Sequence, residues 1–314
     1  MKQQIVLIGS GNMAMEYAKV LIALSKDFIV IGRGKKSASN FKKNIGKDVL
    51  TGGLENNIKV LKNHKTFINC SNIECLASTT ILLLENNSKK ILIEKPGSIF
   101  LNDLNNMKKI KEKAKSNVFI AYNRRYYSSI KKLESIVKKD GGIQSCLFEF
   151  TEISKKIQKL NKPIIVKNKW FLANSTHIID LVFYLCGLPK NISSYYRKGK
   201  INWHPNASGF VGSGVTDNGV LFSYISNWDC PGRWGVEIIT KKRRFILSPL
   251  EELKEKKDTG IIKDIKIDNK IDLKFKPGLY EMVKDFLSKK PKKLCDLQDQ
   301  INSFKFFKKI ANYY

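Results

Sequence analysis

Two short stretches of this chain put reactive side chains beside structural punctuation. At one of them the aliphatic run Ile91-Leu92-Ile93 ends in Glu94, Lys95 and Pro96. In an open α/β sheet, ligands collect at the carboxyl ends of the strands. A carboxylate and an ammonium emerging there are placed for binding or proton transfer, and Pro96 biases Lys95 toward an extended backbone that fixes its direction. The alternative is a plain Glu-Lys pair at a strand end. The second stretch is Asn174-Ser175-Thr176-His177-Ile178-Ile179-Asp180. Here Asn174 can cap a helix and set His177 in its first turn, where the dipole disfavours imidazolium and leaves a neutral ring able to act as a base. A histidine satisfied inside an apolar core is the alternative. Asp180, one turn on, is placed to orient the ring or to face a strand backbone.

A third stretch, Gly9-Ser10-Gly11-Asn12-Met13-Ala14, reads G-x-G-x-x-A between a short apolar run and a helical pattern. The tight turn needs Gly9, close approach of a pyrophosphate needs Gly11, and packing of helix on strand needs a small residue at 14; Asn12 and Met13 open the helix whose N–H groups face the anion. That strand-turn-helix setting marks dinucleotide binding. An NAD site places an acidic residue about 20 residues further on. This chain has Gly32-Arg33-Gly34-Lys35-Lys36-Ser37 instead, three cations and a serine that would receive a 2'-phosphate through charge-assisted hydrogen bonds. NADP(H) is therefore the preferred cofactor, with NAD(H) admitted. Arg33, Lys36 and Ser37 are the candidate contacts, joined by Ser71 just past a later strand; in a lysine-rich chain, Lys35 and Lys36 also read as plain surface lysines.

The elements that must position these residues follow from hydrophobic periodicity. Strands are predicted at residues 4–8, 28–31, 67–70, 91–93 and 118–122, and helices at 14–24, 75–84 and 101–114. Short continuous aliphatic strands separated by helices specify a parallel sheet covered on both faces. After Asn123 the texture changes. A helix at 129–138 leads into strands at 145–152, 192–196, 209–215, 220–226, 234–239 and 243–247, interrupted by a helix at 175–186 that stops at Gly187-Leu188-Pro189. Asp217-Asn218-Gly219 makes 209–215 and 220–226 a hairpin. Residues 250–272 read as a charged, mobile excursion, and helices at 279–288 and 297–312 close the chain. The expected fold is α/β: an N-terminal Rossmann doubly wound parallel sheet over 1–122, plus a C-terminal α+β domain with a mainly antiparallel open sheet over 123–314.

At 314 residues the chain is roughly twice a typical domain of about 150. Its net charge of +29 comes mostly from lysine spread from end to end among Asn and Ile, with no arginine-rich tract and no helix-turn-helix or RNA-recognition signature. A solvated surface is the reading, rather than a nucleic-acid interface. The remaining possibility is an anionic partner, including a phosphorylated substrate, steered by the field. No apolar run approaches the roughly 20 residues a membrane span requires, and MKQQIVLIGSG is too short for a secretory core, so a cytoplasmic protein is expected. Six cysteines without C-x-x-C or paired Cys/His spacing read as reduced core residues, not a metal site. His64 and His204 have no matching context, and His204 reads as a surface residue.

Taken together, G-x-G-x-x-A, Glu94-Lys95-Pro96, Tyr122-Asn123-Arg124-Arg125-Tyr126 and a helix bearing His177-Ile178-Ile179-Asp180-Leu181 resemble the Gfo/Idh/MocA oxidoreductases, relatives of glucose-fructose oxidoreductase and inositol dehydrogenase. The resemblance spans nearly the whole chain, including a final helix at 297–312 like the one that family returns to its nucleotide domain. It implies that Lys95 lies between the nicotinamide and a substrate hydroxyl, with Glu94 near the nicotinamide ribose and the Asn123-Arg124 corner lining the site. Hydride transfer needs a group that removes or supplies the alcohol proton, and lysine serves when burial and an oxidised nicotinamide lower its pKa. Lys95 is then the acid/base and His177 its assistant, acting on a sugar or nucleotide sugar held by Lys95, Asn123, Arg124, Trp170, Asn174 and His177. Lys167 and Lys169 are further cations available to the substrate. The chain departs from the family at Ala173, where many members carry an aspartate four residues before the histidine, so Asn174 or Ser175 would hydrogen-bond substrate instead. Two other readings stay open: a reductase of a non-sugar carbonyl or dihydrodiol-type substrate, and a non-catalytic cofactor-binding regulator of the same fold. A homodimer or homotetramer is expected, paired through the exposed face of the second sheet, with Phe210 and Phe222 among the available apolar positions.

Overall fold

The structure is a computed structural model and describes residues 4–313. Its chain divides into two compact units, Met1–Asn123 with Ile271–Ile301, and Arg124–Lys270 with Asn302–Tyr314.

In the first unit, six short strands lie in parallel in the order β6-β5-β4-β1-β2-β3: β1 (Ile5–Ile8), β2 (Phe28–Ile31), β3 (Val49–Leu50), β4 (Thr66–Asn69), β5 (Lys90–Glu94) and β6 (Asn117–Ala121). β1 and β4 are buried at every position, which is why β1 reads as an unbroken apolar run and not as an alternating one. Helices α1 (Asn12–Ala23), α2 (Lys35–Ile45), α3 (Leu76–Glu85) and α4 (Leu101–Ala114) connect them, α1 through Ala14, Tyr17, Ala18, Val20 and Leu21 on its buried side. The chain leaves β1 on one side for β2 and β3, then crosses to the other for β4, so the switch point lies between β1 and β4. α2 was not expected. Only Ala38 and Phe41 of its eleven residues are buried, too few to give a helical pattern, and its first turn takes in Lys35, Lys36 and Ser37.

The second unit holds α5 (Ser128–Lys139), α6 (Ser154–Gln158), α7 (Ile164–Asn168) and α8 (Thr176–Cys186) beside an eight-stranded sheet. Its strands are β7 (Ser145–Phe150), β8 (Pro189–Arg197), β9 (Gly209–Thr216), β10 (Leu221–Asn227), β11 (Trp234–Ile239), β12 (Arg244–Leu247), β13 (Lys254–Lys256) and β14 (Ile262–Asp264), in the order β14-β13-β12-β11-β7-β10-β9-β8. All pairings are antiparallel except β7 with β10. The expected hairpin is the β9-β10 pair. Period-two alternation places Trp234, Val236 and Ile238 opposite Phe150, Phe148 and Cys146 on one buried face. Phe183 of α8 covers that face edge-on, 6.0 Å from Phe148 and 5.3 Å from Phe222.

Two expectations fail here for physical reasons. Phe210 and Phe222 are buried under the helix layer, so they offer nothing to a second copy; the open face carries Leu147, Tyr195, Val211, Leu221 and Ile225. Residues 250–272 are not a simple excursion, because β13 and β14 extend the sheet as a short edge hairpin. Its lysine and glutamate content is that of a protected sheet edge, which masks the strand signal. A final strand, β15 (Cys295–Asp296), pairs antiparallel with β6, and α9 (Lys270–Lys274), α10 (Leu279–Leu287) and α11 (Leu297–Ala311) complete the chain. α11 groups with the first unit as far as Ile301 and with the second beyond it. Among the described residues no helix is long and apolar enough to cross a membrane.

Candidate functional site

At the switch point of the parallel sheet lies a cleft of about 320 Å³, lined by Gly9, Ser10 and Gly11 after β1, Gly32 and Arg33 after β2, Cys70 and Ser71 after β4, and also by Ser37 and Gly53. Gly9 has φ +113°, and a Cβ there would sit 2.7 Å from the Cys70 carbonyl oxygen, so no other residue fits. Gly11 is different: a Cβ would meet nothing within 4 Å, which leaves clearance above the backbone. Gly11 also caps α1 without any side-chain hydrogen bond, and the first turn holds no acidic residue. The leading N–H groups of the helix are thus left to an outside acceptor. Open glycine, unclaimed donors and helix dipole all fit a dinucleotide pyrophosphate.

On the β2 side, Ser10 donates to Ser37 (2.9 Å), which donates to the Gly34 carbonyl (3.0 Å). Arg33 donates to Glu55 at 2.8 Å, both side chains being largely exposed. A backbone N–H and then Arg33 hold the Glu55 carboxyl below its ordinary range against some burial. Nothing local in the sequence pairs these two. Asn12, Met13 and Lys36 do not line the cleft.

Beyond β5, Glu94 and Lys95 are half-buried. Tyr17 of α1 donates to Glu94 at 2.6 Å. Burial pushes the Glu94 carboxyl up, and the Tyr17 hydroxyl, Lys95 and Lys276 pull it down. The Lys95-Pro96 peptide bond is cis. Gln300 donates to the Pro96 carbonyl (3.0 Å) and accepts from the Tyr122 hydroxyl (3.1 Å). Asn123 is buried and donates to the Pro277 carbonyl at 2.9 Å.

In the second unit the approach to His177 departs from expectation. A π-helical turn, Phe171–Ser175, runs directly into α8, so His177 is not in the first turn of a fresh helix and the dipole argument for its charge state lapses. Asn174 caps nothing. Its amide donates to both oxygens of Glu152 (2.9 and 3.1 Å), and the Ser175 hydroxyl adds a third bond at 2.8 Å. Glu152, two residues past β7, is 3% exposed. Burial pushes its carboxyl up, while Ser175, Asn174 and the charge of Arg233 pull it down. Ala173 is buried, and the carboxylate of this neighbourhood comes from the strand. Glu152 was missed, although a carboxylate at a strand's carboxyl end was the signal that singled out Glu94.

His177 is buried, with its ring centre 6.2 Å from that of Trp234. Trp234 in turn meets the guanidinium groups of Arg124 at 4.7 Å and Arg233 at 4.9 Å. Asp180 accepts two bonds from Arg125, at 2.8 and 2.5 Å.

The stretch 4–67 matches the pyridine nucleotide-disulphide oxidoreductase family and contains the glycine turn, Arg33 and Glu55. No curated protein matches the chain by sequence. Solved structures do match. The dehydrogenase MviM from Clostridium difficile has a TM-score of 0.80 at 15% identity over 100% of both chains. UDP-N-acetylglucosamine 3-dehydrogenase GnnA from Acidithiobacillus ferrooxidans has 0.78 at 12%, covering 99% of this chain and 97% of that one. An oxidoreductase from Agrobacterium radiobacter, solved with NAD+, L-tartaric acid and magnesium, has 0.78 at 11%, covering 100% and 97%. The chain has the Gfo/Idh/MocA fold. Its two sheets are the parallel and mainly antiparallel halves expected from the sequence, and at such identities the roles of residues rest on this chain's own geometry.

Within that Gfo/Idh/MocA fold, Gly9, Gly11, Arg33, Ser37 and Ser71 come together in the cleft. Glu94, Lys95 and Asn123 belong to the same unit, whereas Arg124, Trp170, Asn174 and His177 belong to the other. Trp170 packs edge-on against Trp203 (6.2 Å). Lys167 donates to the Gln158 carbonyl (2.9 Å) and Lys169 lies over the Tyr313 ring (4.2 Å), so both cations are engaged elsewhere. His204 is not a surface residue: it is 1% exposed, bonded to the Ala207 carbonyl and the Tyr313 hydroxyl, each at 2.6 Å. Burial pulls its pKa down to about 4, which makes it a neutral core residue. Cys230, by contrast, is exposed and not part of the core.

Proposed function

We propose that this chain is an NADP(H)-dependent oxidoreductase that transfers hydride at a secondary alcohol or ketone of a sugar or nucleotide sugar, with Lys95 as acid/base and His177 assisting. What carries the reading is the conjunction, in one unit, of an open glycine cradle at the switch point and a Glu94-Lys95 pair at the carboxyl end of β5. The nicotinamide, when bound, supplies the hydride chemistry. Gly9, Gly11 and the first turn of α1 hold the pyrophosphate, and Arg33 with Ser37 receives the 2'-phosphate. Lys95 Nζ takes the alcohol proton in oxidation or returns it to the carbonyl oxygen in reduction. Burial pushes the Glu94 carboxyl up, the Tyr17 hydroxyl, Lys95 and Lys276 offset part of that rise, and Glu94 stands next to Lys95 at the strand end. Glu152 fixes Asn174 with its amide nitrogen turned inward, leaving the amide oxygen as an acceptor for a substrate hydroxyl. The sugar class draws support from GnnA, a nucleotide-sugar dehydrogenase with 99% of this chain aligned to it.

The cofactor assignment has its own test. An exposed ion pair contributes little, so Arg33 can leave Glu55 for a phosphate. Arg33→Ala is expected to weaken NADPH binding about tenfold and NADH binding hardly at all, measured by quenching of protein fluorescence. Glu55→Gln, which releases Arg33, should tighten NADPH alone. Equal losses for both cofactors would sink the 2'-phosphate contact.

Self-association is proposed through the open face of the second sheet, where Leu221 and Ile225 are 61% and 51% exposed. The double variant Leu221→Lys/Ile225→Lys should be a monomer by light scattering where the parent is a dimer or tetramer. A monomeric parent removes this proposal.

A further inference from the structure

The chain has seven arginines. Five form ion pairs: Arg33 with Glu55, Arg125 with Asp180, Arg197 with Asp229, Arg243 with Asp140 and Glu255, and Arg244 with Glu237. The other two, Arg124 and Arg233, have no ion pair among the described residues, and both lie within 5 Å of one indole, that of Trp234. Arg124 Nε is fully buried without an acceptor among the described residues, and so is the Trp234 indole N–H. Buried donors left unsatisfied are costly and rare, and two adjacent guanidiniums add repulsion. Burial draws the Arg124 pKa down and Arg233 draws it further, against Tyr127, Glu251 and Glu152. Of the two carboxylates, Glu152 is already bonded to Asn174 and Ser175. A planar guanidinium fork matches a carboxylate or phosphoryl group in a way lysine does not, and this chain has lysine in excess.

We propose that Arg124, Arg233 and the Trp234 N–H form a subsite for an anionic oxygen group, a carboxylate or phosphoryl, carried by the substrate. Calling the ligand a substrate rests on the oxidoreductase reading; the anion site itself does not. Arg124 enters from the 3-10 turn Asn123–Tyr126 that follows β6, and Arg233 from the residue before β11. Trp234 links both to His177, so the anion is held beside the second proton-transfer candidate.

The test is isothermal titration of the full-length, NADPH-treated protein with inorganic phosphate, D-glucuronate and D-glucose, at low and raised salt. The inference predicts that phosphate or glucuronate binds at least about tenfold more tightly than glucose and weakens with salt. Arg233→Ala should remove most of that difference and leave glucose unchanged, and Arg124→Met should also remove most of that difference. Phosphate preference identifies a phosphoryl group and glucuronate preference a carboxylate. Arg233 is exposed, so its variant keeps the fold even if the Arg124 variant does not, and urea unfolding checks this. Binding of neither anion, or a preference that survives Arg233→Ala, overturns the inference. Anion binding without turnover on any sugar leaves the subsite standing and removes the oxidoreductase; turnover of neutral sugars without anion preference does the reverse.

Discussion

Lys95→Met lowers kcat by about a thousandfold, within the range that positioned acid/base groups contribute, while NADPH affinity and KM stay close to those of the parent. Methionine keeps most of the apolar stem of lysine and deletes the Nζ proposed to exchange the proton. The turn after β5 has independent support, since Gln300 holds the Pro96 carbonyl and Tyr122 holds Gln300, so the backbone does not depend on the ammonium. Loss of Lys95 also removes one of the charges that pull the Glu94 carboxyl down. Glu94 in the variant therefore protonates at higher pH than in the parent, visible as an isotope-edited carboxyl shift. Steady-state kinetics with NADPH titration checks the main claim. Unchanged turnover would remove Lys95 from the mechanism and leave His177 as the acid/base.

Gly11→Val abolishes cofactor binding without unfolding the protein. The Gly11 backbone is extended, at φ −87° and ψ −171°, a conformation open to any residue, and no protein atom lies within 4 Å of a Cβ placed there. The new side chain therefore enters only the open space proposed for the pyrophosphate, and NADPH affinity is expected to fall by about a hundredfold or more, since close approach of the phosphates needs a bare backbone there. Gly9→Val behaves differently, because φ +113° and the Cys70 carbonyl at 2.7 Å damage the fold itself. Fluorescence titration beside urea unfolding separates the two effects. A Gly11→Val variant that binds NADPH as the parent does would show that the cleft is not the cofactor site.

Much of the architecture was legible because burial dictates pattern. β2 at Phe28–Ile31, α4 at Leu101–Ala114 and β11 at Trp234–Ile239 fall on their predicted bounds, each with apolar residues at the period of its element. Elements that bury little left no such trace, as α2 and the β13-β14 edge hairpin show. In the site, the glycine turn was visible because φ +113° at Gly9 demands glycine, and the end of β5 because an aliphatic run stops there in a charged pair. Pairings across the fold were not. Arg33 with Glu55, Tyr17 with Glu94, and Asn174 with Glu152 join residues 22, 77 and 22 positions apart, and no local rule connects them. The π turn before His177 was also hidden, because Asn174-Ser175 reads as a cap wherever nothing else claims the asparagine amide. Glu152 does claim it, and that contact takes Asn174 out of the capping role.

The most direct measurement is a titration of the purified chain with NADPH followed by nicotinamide absorbance as keto sugars and nucleotide keto sugars are added, with Lys95→Met in parallel. The account predicts saturable NADPH binding by both proteins and NADPH consumption by the parent alone. Absence of NADPH binding, or equal consumption by parent and variant, would contradict it.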